Sequence, residues 1–307
     1  MKIALAQLNY HIGNFSSNVE KMISSLHKAK AEGADLVVFA ELAVSGYPPR
    51  DFLEFDDFID KCWIATEKIA KECVGIAAIV GLPTRNQAEK GKPLFNSAAL
   101  LQNGTVEEIR NKSLLPNYDI FDEYRYFEPN NVFTCIDFNG KKIALTICED
   151  LWNIGDDPLY AINPMDELMK ENPDMMINIA ASPFHYDQRE IRTAILKRNV
   201  EKYQIPLFYV NHVGAQTELL FDGGSLVMNK QAETVSELRY FEEDFKIFDT
   251  EALVKESTSA TRPSKIELIH DALVMGIRNY FEKLGFKKAI LGLSGGIDSA
   301  VTLVFGC

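Results

Sequence analysis

The 307-residue sequence lacks an excess of basic residues, long apolar runs and any regular spacing of cysteines. It contains 32 Lys and Arg against 44 Asp and Glu, which gives a net charge of −12. Because phosphate backbones and anionic lipid surfaces need a basic partner, this balance argues against a general nucleic-acid or membrane binder. The rest of the composition, 47% apolar and 25% charged, is that of a globular protein with one large domain or two smaller ones.

The apolar runs fall well short of the roughly 20 residues that a membrane-spanning helix needs. Residues 9–11, NYH, interrupt the apolar start of the chain before the core of a signal peptide could form. The sequence therefore predicts a cytoplasmic protein. Its five cysteines are too irregularly spaced for a disulfide framework or a zinc site, and no two histidines stand four residues apart, so we predict no metal.

Short β-type runs alternate with helical patterns along the first 250 residues. Helical spacing covers residues 18–31, 56–72 and 189–203, and Asn-Gly pairs at 103–104 and 139–140 each predict a hairpin. Residues 219–228, followed by residues 232–236, suggest a further hairpin. Because hairpins interrupt the alternation of helices and strands, the pattern predicts a layered α/β protein with mixed sheets.

The pattern changes near residue 250. Small and polar residues dominate 251–265, which predicts a linker between a first domain at 1–250 and a second segment at 266–307. That segment reads as a helix at 266–284, a strand at 288–293 and a loop at 294–299 that opens another helix. One strand without partners cannot form a sheet of its own, so we expect a truncated start of a second α/β domain.

Three chemically useful side chains stand at the ends of predicted strands. Cys148 can be a nucleophile or an ordinary buried cysteine, and Glu41 can be a general base or a surface carboxylate. Lys112 can stabilise a thiolate and an oxyanion, or lie on the surface. Strand position alone leaves these alternatives open.

The segments around these residues resemble the three signature segments of the nitrilase superfamily, in the family's order of Glu, Lys and Cys. They are residues 39–49 (FAELAVSGYPP), 112–123 (KSLLPNYDIFDE) and 145–152 (LTICEDLW). The resemblance covers about residues 1–250. It implies a four-layer α-β-β-α sandwich that hydrolyses a carbon–nitrogen bond.

The same resemblance implies the roles of the residues. Cys148 would attack, Glu41 would be the general base, and Lys112 would stabilise the tetrahedral intermediate together with the backbone N–H of Glu149. Glu123 would position either Lys112 or the substrate. An acyl thioester on Cys148 would form, ammonia would leave, and water would release the acid.

Residues 293–300, LSGGIDSA, resemble the pyrophosphate-binding loop of ATP pyrophosphatases. The glycines let the backbone approach an anion and the helix N-terminus offers unpaired N–H groups. The residues that would form this incomplete ATP site are Ser294, Gly295, Gly296, Asp298 and Ser299. A nitrilase-like domain followed by this loop resembles the family of glutamine-dependent NAD⁺ synthetases.

That second resemblance implies the substrates. The first domain would hydrolyse glutamine, and the ammonia would amidate nicotinic acid adenine dinucleotide after its activation by ATP and Mg²⁺, giving NAD⁺. The glutaminase domain itself would need no cofactor. The resemblance to the nitrilase superfamily also implies a homo-oligomer. As given, the chain is expected to hydrolyse glutamine but not to make NAD⁺.

The resemblance also assigns a glutamine pocket. Tyr118, Phe121 and Glu123 would line it, Tyr47 would lie near its mouth, and Ser182 would help to hold the amino-acid end of the substrate. Glutamine carries an ammonium and a carboxylate, so the pocket must supply an anion and hydrogen-bond donors. Glu123 and Ser182 have the required chemistry.

A basic residue shortly after the serine completes this pocket in the family. Gln188 interrupts that spacing here, with Arg189 and Arg192 nearby, and we favour Arg189 as the substrate contact. Two rival functions remain at this point: a free-standing amidase or carbamoylase, and a nitrilase-like binding module with an inert Cys148.

Overall fold

The computed structural model describes residues 1–155, 158–254 and 264–306. The strands are β1 (Lys2–Gln7), β2 (Leu36–Val38), β3 (Ala77–Arg85), β4 (Leu94–Gln102), β5 (Thr105–Asn111), β6 (Ile136–Phe138), β7 (Lys141–Ile147), β8 (Met175–Ile179), β9 (Leu207–Val210), β10 (Val213–Gln216), β11 (Leu219–Asp222), β12 (Leu226–Met228), β13 (Thr234–Glu237) and β14 (Asp244–Asp249). The α-helices are α1 (Phe15–Ala31), α2 (Asp56–Glu72), α3 (Pro164–Leu168), α4 (Gln188–Tyr203), α5 (Lys265–Leu284) and α6 (Ile297–Gly306).

Two six-stranded mixed sheets form the centre of the molecule. The first has the order β14-β1-β2-β3-β4-β5, with β1, β2 and β3 parallel. The second has the order β13-β12-β9-β8-β7-β6, with β7, β8 and β9 parallel. The strands β10 and β11 pair separately as an antiparallel hairpin.

The two sheets face each other, and helices cover their outer sides. Strand β1 contacts β9, and β4 and β5 contact β7, while α1 and α2 pack on the first sheet and α3 packs on the second. The buried residues of α1 recur every three or four positions, at Asn18, Met22, Leu26 and Ala29, as expected for a helix with one face on a core. The predicted α/β class with four layers is confirmed.

Both predicted Asn-Gly hairpins form. Asn103 and Gly104 connect β4 to β5, and Asn139 and Gly140 connect β6 to β7, all four with the positive φ that the tight hairpin turn requires. The hairpin predicted from residues 219–228 and 232–236 forms between β12 and β13, but residues 219–222 belong to β11, which pairs with β10 in a separate sheet. Gly223, Gly224 and Ser225 separate β11 from β12, and this turn-type sequence was the local signal for the break.

The strand predicted at 288–293 does not form. Those residues have no regular secondary structure, and Ile290 is fully exposed at 102% of its reference area. A β-strand needs a neighbour for its N–H and C=O groups, and no described strand lies beside this segment. The predicted linker at 251–265 falls mostly on residues 255–263, outside the described residues, so the proposed domain limits stay a prediction.

The topology brings the ends of three strands to one side of the first sheet. Strand β5 is antiparallel to β4, which is antiparallel to β3, so β5 runs in the same direction as β2 and β3. Glu41 lies just beyond β2 and Lys112 directly follows β5. Both residues therefore lie at the end of the sheet where β2, β3 and β5 terminate.

Gly81 in β3 lets the backbone that carries Glu41 pass unusually close. A Cβ atom built at Gly81 would lie 2.3 Å from the backbone N of Leu42, 2.5 Å from the O of Ala40 and 2.7 Å from the C of Glu41. Contacts this short with backbone cannot be relieved by a side-chain rotation. Any larger residue at 81 must therefore displace the segment 40–42.

We expect Gly81→Ala to lower the free energy of unfolding by about 1–3 kcal/mol, the usual cost of overpacking a core. Urea unfolding measures this cost. Gly292→Ala is the matched control, because a Cβ at that position meets nothing within 4 Å. Equal unfolding free energies for the two variants would contradict the close approach at Gly81.

Candidate active site

Glu41 is completely buried, and each of its carboxylate oxygens has a defined donor. Oε1 accepts from Lys112 Nζ at 2.7 Å and from Asn96 Nδ2 at 2.7 Å. Oε2 accepts from the backbone N–H of Ala181 at 2.9 Å. Asn96 belongs to the first sheet and Ala181 follows β8 of the second, so both sheets orient this carboxylate.

Lys112 is 1% exposed and donates to two carboxylates. Besides Glu41, it contacts both oxygens of Glu123, at 2.9 and 2.8 Å. Burial alone would lower the pKa of Lys112, but the charges of Glu123 and Glu41 outweigh burial and hold that pKa well above its usual range. Lys112 is therefore a permanent cation between two carboxylates.

Cys148 stands at the start of a single 3-10 turn, Cys148–Leu151, directly after β7. Its φ of 43° lies in the left-handed region, which a residue with a side chain rarely occupies. Burial first, and then the charge of Glu41, raise the pKa of the Cys148 thiol well above its usual range, although Lys112 opposes them. The resting thiol is therefore neutral and needs a base in order to attack.

Asp150 ties the turn of Cys148 to the segment that follows Lys112. Its Oδ1 accepts from the backbone N–H groups of Ser113 and Leu114, both at 2.9 Å, and its Oδ2 accepts from Ile147 at 3.0 Å. Burial raises the pKa of Asp150 to about 7, against the opposing effect of these backbone donors. One carboxylate thus holds the two chain segments that carry the thiol and the ammonium.

A cavity of about 400 Å³ opens onto Cys148. Glu149 lies in its wall, where Oε1 accepts from the hydroxyls of Tyr118 at 2.8 Å and Tyr160 at 3.1 Å. Burial raises the pKa of the Glu149 carboxyl. The other lining residues are Asp119, Ile120, Phe121, Trp152, Ser182, Pro183, Phe184, His185, Gln188, Glu218, Leu219 and Leu220.

Comparison with known proteins agrees with this arrangement. The model of the carbon-nitrogen hydrolase family matches residues 2–256. The chain belongs to the carbon–nitrogen hydrolase family. A second family model, NAD synthase, matches residues 269–306 of this hydrolase-family chain.

Similar proteins contain both parts. A glutamine-dependent NAD(+) synthetase of Synechocystis sp. is 38% identical over 97% of this chain and 56% of its own length. The structure of a glutamine-dependent NAD+ synthetase from Acinetobacter baumannii, in complex with ADP, is 37% identical, with a TM-score of 0.89 over 99% of this chain and 56% of that one. The chain thus spans about half the length of the relatives it matches.

An amidase of Nesterenkonia sp. AN1 has the same fold as the hydrolase part of the chain. It is 21% identical, with a TM-score of 0.69 over 81% of this chain and 92% of that one, and in its structure acrylamide has added to the active-site cysteine. Within the described residues, no helix is both long and apolar enough to cross a membrane.

The structure places Glu123 and Tyr47 beside Lys112 rather than in the cavity at Cys148. Glu123 accepts from Lys112 and, at 2.9 Å, from the Tyr47 hydroxyl, and both residues line a neighbouring cavity of about 280 Å³. Of the two roles left open for Glu123, this geometry favours positioning Lys112. The carboxylate that lines the cavity at Cys148 is that of Glu149, where the sequence analysis expected Glu123.

Neither candidate arginine lines the cavity. Arg189 pairs with Glu237 at 2.5 Å, and the buried Arg192 makes a bidentate pair with Asp222 at 3.0 and 2.9 Å. The residue that does reach the cavity is Gln188, whose Nε2 donates to Ser182 Oγ at 3.2 Å. The position of Arg189 therefore does not support a contact with the substrate, because its guanidinium is paired with Glu237 outside the cavity.

Sequence reasoning missed Asn96, Asp150 and Tyr160. Asn96 lies within a strand, where a polar residue at a buried position is the only available signal. Asp150 stands three residues after Ile147, the spacing at which a side chain in the first turn accepts from the N–H at the start of that turn, so it could have been found. Nothing in the sequence near Tyr160 indicates that its hydroxyl reaches Glu149.

The glycine-rich segment 294–299 is mostly exposed and spans the start of α6, away from the cavity at Cys148. Ser299 Oγ donates to the backbone O of Gly296 at 3.0 Å and lies 3.1 Å from Ser294 Oγ, and Gly295 has a φ of 87°. Nothing stands within 4 Å of a Cβ built at Gly295. The loop has the hydroxyls, the backbone freedom and the helix N-terminus that suit a phosphate group.

We expect Lys112→Met to lower the free energy of unfolding by about 3–5 kcal/mol at pH 7, because it leaves two carboxylates buried without their cation. The double variant Lys112→Met/Glu123→Gln should recover part of the loss. Lowering the pH should also reduce it, since unpaired buried carboxylates have a raised pKa and take up protons in the folded state.

Denaturant unfolding at several pH values measures these effects. Lys61→Met is the control, because the Lys61–Asp57 pair at 2.6 Å is exposed to solvent and should contribute about 0–1 kcal/mol. If Lys112→Met lowers the free energy of unfolding no more than Lys61→Met does, the buried ion pairs of Lys112 with Glu41 and Glu123 do not stabilise the fold as proposed.

Proposed function

We propose that this chain hydrolyses the side-chain amide of glutamine to glutamate and ammonia. Cys148 is the nucleophile, Glu41 the general base and Lys112 the cation that stabilises the oxyanion. One observation carries the proposal. The Glu41 carboxylate and the Lys112 ammonium lie 2.7 Å apart and are fully buried. Both charges shift the pKa of the Cys148 thiol, which lines a cavity.

The first half of the reaction forms a thioester. Cys148 Sγ attacks the amide carbon while its proton passes to Glu41, and the carbonyl oxygen becomes an oxyanion. Lys112 contacts Glu123 through both carboxylate oxygens, so one of its N–H groups can turn to the oxyanion while the pair persists. The Glu149 N–H supplies a second donor. Glu41 then returns the proton to nitrogen, the C–N bond breaks and ammonia leaves.

The second half releases glutamate. Glu41 takes a proton from water, the resulting hydroxide attacks the thioester carbon, and the C–S bond breaks with return of the proton to Cys148. No redox step or metal enters this sequence. Glu41 acts as base in both halves, which requires its oxygens to stay oriented by Asn96, Ala181 and Lys112 throughout.

The two ends of glutamine's amino-acid group match the two polar sides of the cavity. The hydroxyls of Tyr118 and Tyr160 both donate to Oε1 of Glu149. Its other oxygen, Oε2, can therefore accept from the ammonium of the substrate. Ser182 and Gln188 offer a hydroxyl and an amide to the substrate carboxylate. Phe121 stacks edge-on against Tyr118, with ring centroids 5.7 Å apart, and holds that wall in place.

For the whole protein we propose glutamine-dependent synthesis of NAD⁺, in which the ammonia amidates nicotinic acid adenine dinucleotide activated by ATP. The similarity to synthetases along almost the full chain supports this proposal. In this chain Ser294, Gly295, Gly296 and Ser299 would contact a phosphate of ATP. Mg²⁺ would neutralise phosphate charge there, and Asp298 is the one carboxylate of that loop. A cytoplasmic location and a homo-oligomer remain predictions.

A free-standing amidase is the alternative, and a substrate panel separates the two functions. Ammonia release from glutamine, with none from simple aliphatic amides or N-carbamoyl compounds, supports the glutaminase. The opposite preference would assign the cavity to an amidase or carbamoylase.

Cys148→Ala should abolish ammonia release from glutamine, because the variant lacks the thiol that forms the acyl intermediate. An electrophilic diazo-ketone analogue of glutamine should label Cys148 in the unmodified chain and should label nothing in the variant. Cys135→Ala is the control, since Cys135 is buried elsewhere and donates to the backbone O of Leu168. Ammonia production that survives Cys148→Ala would refute the proposed nucleophile.

Gln188→Lys should lower the KM for glutamine by about three- to tenfold, since a charge-assisted hydrogen bond to the carboxylate replaces a neutral one. Initial-rate kinetics measure the change. Arg189→Gln should leave KM unchanged because Arg189 is paired outside the cavity. The α-amide of glutamine provides a second control, because it lacks the carboxylate and should gain nothing from the lysine. If Gln188→Lys lowers the KM for the α-amide as well as for glutamine, the substrate carboxylate does not bind beside residue 188.

A further inference from the structure

His212 is a buried histidine that touches the backbone of Glu41. Its Nε2 lies 2.5 Å from the Glu41 carbonyl oxygen. Burial lowers the pKa of His212 to about 4, so the ring is neutral at pH 7, and Nε2 must carry the proton to donate to a carbonyl. Among the described residues, Nδ1 has no hydrogen-bond partner. The ring therefore makes a single hydrogen bond, and it goes to Glu41.

Aromatic side chains fix the His212 ring on several sides. Tyr10 packs edge-on against it with ring centroids 4.9 Å apart, and Phe221 lies at 5.4 Å. Tyr47 lies at 6.3 Å, and its hydroxyl donates to Glu123. A shift of the His212 ring would thus displace the Glu41 backbone directly and disturb the Lys112 cluster through Tyr47.

Helix α5, which follows the undescribed residues 255–263, holds both chain segments that position His212. Lys283 Nζ donates to the carbonyl of Tyr10 at 2.8 Å and to that of Ala215 at 2.7 Å. Asn279 Oδ1 accepts from Asn9 Nδ2 at 2.7 Å and from the Ala215 N–H at 2.9 Å. Without α5, the N–H and C=O of Ala215 would lose these partners, and in the described part of the chain the Tyr10 carbonyl would keep only its contact with the Gln216 amide.

We propose that Lys283 and Asn279 on α5 are positioning residues for the hydrolase site, acting on the backbone of Glu41 through Tyr10, β10 and His212. The proposal rests on the role of Glu41 as general base. It makes the first helix beyond the predicted linker a part of the glutaminase rather than an appendage to it. Neither Lys283 nor Asn279 lines the cavity at Cys148, so substrate binding is not their function.

The proposal predicts a selective loss of turnover in the full 307-residue chain. Lys283→Met and His212→Phe should each lower kcat for glutamine by about tenfold, the effect of a misplaced catalytic group, and should change KM by less than about twofold. Arg278→Met is the matched control, because it removes an exposed cation from the same helix. It should leave both constants unchanged.

Alkylation of Cys148 by iodoacetamide provides a readout that does not depend on glutamine. A correctly placed Glu41 should accelerate alkylation at neutral pH, and Glu41→Gln gives the rate without that base. Lys283→Met and His212→Phe should fall towards this lower rate. If the unmodified chain fails to hydrolyse glutamine, the proposed substrate is wrong, whereas the alkylation rates still test the positioning.

A double-mutant cycle tests whether the two residues act along one route. The double variant Lys283→Met/His212→Phe should be no slower than the slower single variant, whereas independent effects would multiply. Where Lys283→Met reduces the amount of folded protein, Lys283→Gln retains one amide donor and should show a smaller fall in the same direction. Multiplied effects, or variants with unaltered kcat and alkylation rates, would overturn the proposal.

Discussion

The buried ammonium of Lys112 is the interaction on which the rest of the site depends. Two carboxylates, Glu41 and Glu123, are kept in the interior of the protein, and each would be strongly destabilising there without a cation. One cation does not balance two anions, and neutral donors supply the difference: Asn96 and the Ala181 N–H for Glu41, and the Tyr47 hydroxyl for Glu123. These donors come from different strands and loops. The cluster therefore forms only when the complete two-sheet core has assembled.

The electrostatics of the cluster also determine how the thiol must react. Many reactive cysteines are thiolates at rest because a nearby cation lowers their pKa. Cys148 has such a cation close by, but burial and the carboxylates outweigh it and raise the pKa. In the proposed mechanism the nucleophile is generated only as its proton is transferred to Glu41. Its rate would therefore be sensitive to small displacements of the Glu41 carboxylate.

Local patterns predicted the elements well where the local signal and the tertiary environment agree. Helix α2 was predicted with its observed limits, and both Asn-Gly hairpins formed, because periodicity and turn chemistry are properties of a few consecutive residues. The strand expected at 288–293 failed because a strand depends on a partner that no local pattern supplies. Strand ends and a family resemblance brought Glu41, Lys112 and Cys148 together as candidates. The partners of Glu123, Glu149 and Arg189 depend on contacts across the fold. Neither residue type nor the resemblance therefore revealed that Glu149 lines the cavity at Cys148 or that Arg189 pairs with Glu237.

The contact of α5 with the hydrolase part is polar near the C-terminal end of the helix, and this has a consequence for coupling. An apolar contact tolerates small slips, because hydrophobic burial has little directional preference. The contacts of Lys283 and Asn279 instead satisfy specific main-chain groups of Tyr10 and Ala215, and a displaced helix would leave the N–H and C=O of Ala215 without these partners. Because hydrogen bonds depend on distance and angle, such a displacement is costly, as is the misalignment of a general base. Directional hydrogen bonds of this kind couple the position of α5 to the backbone of Glu41 more tightly than an apolar interface would.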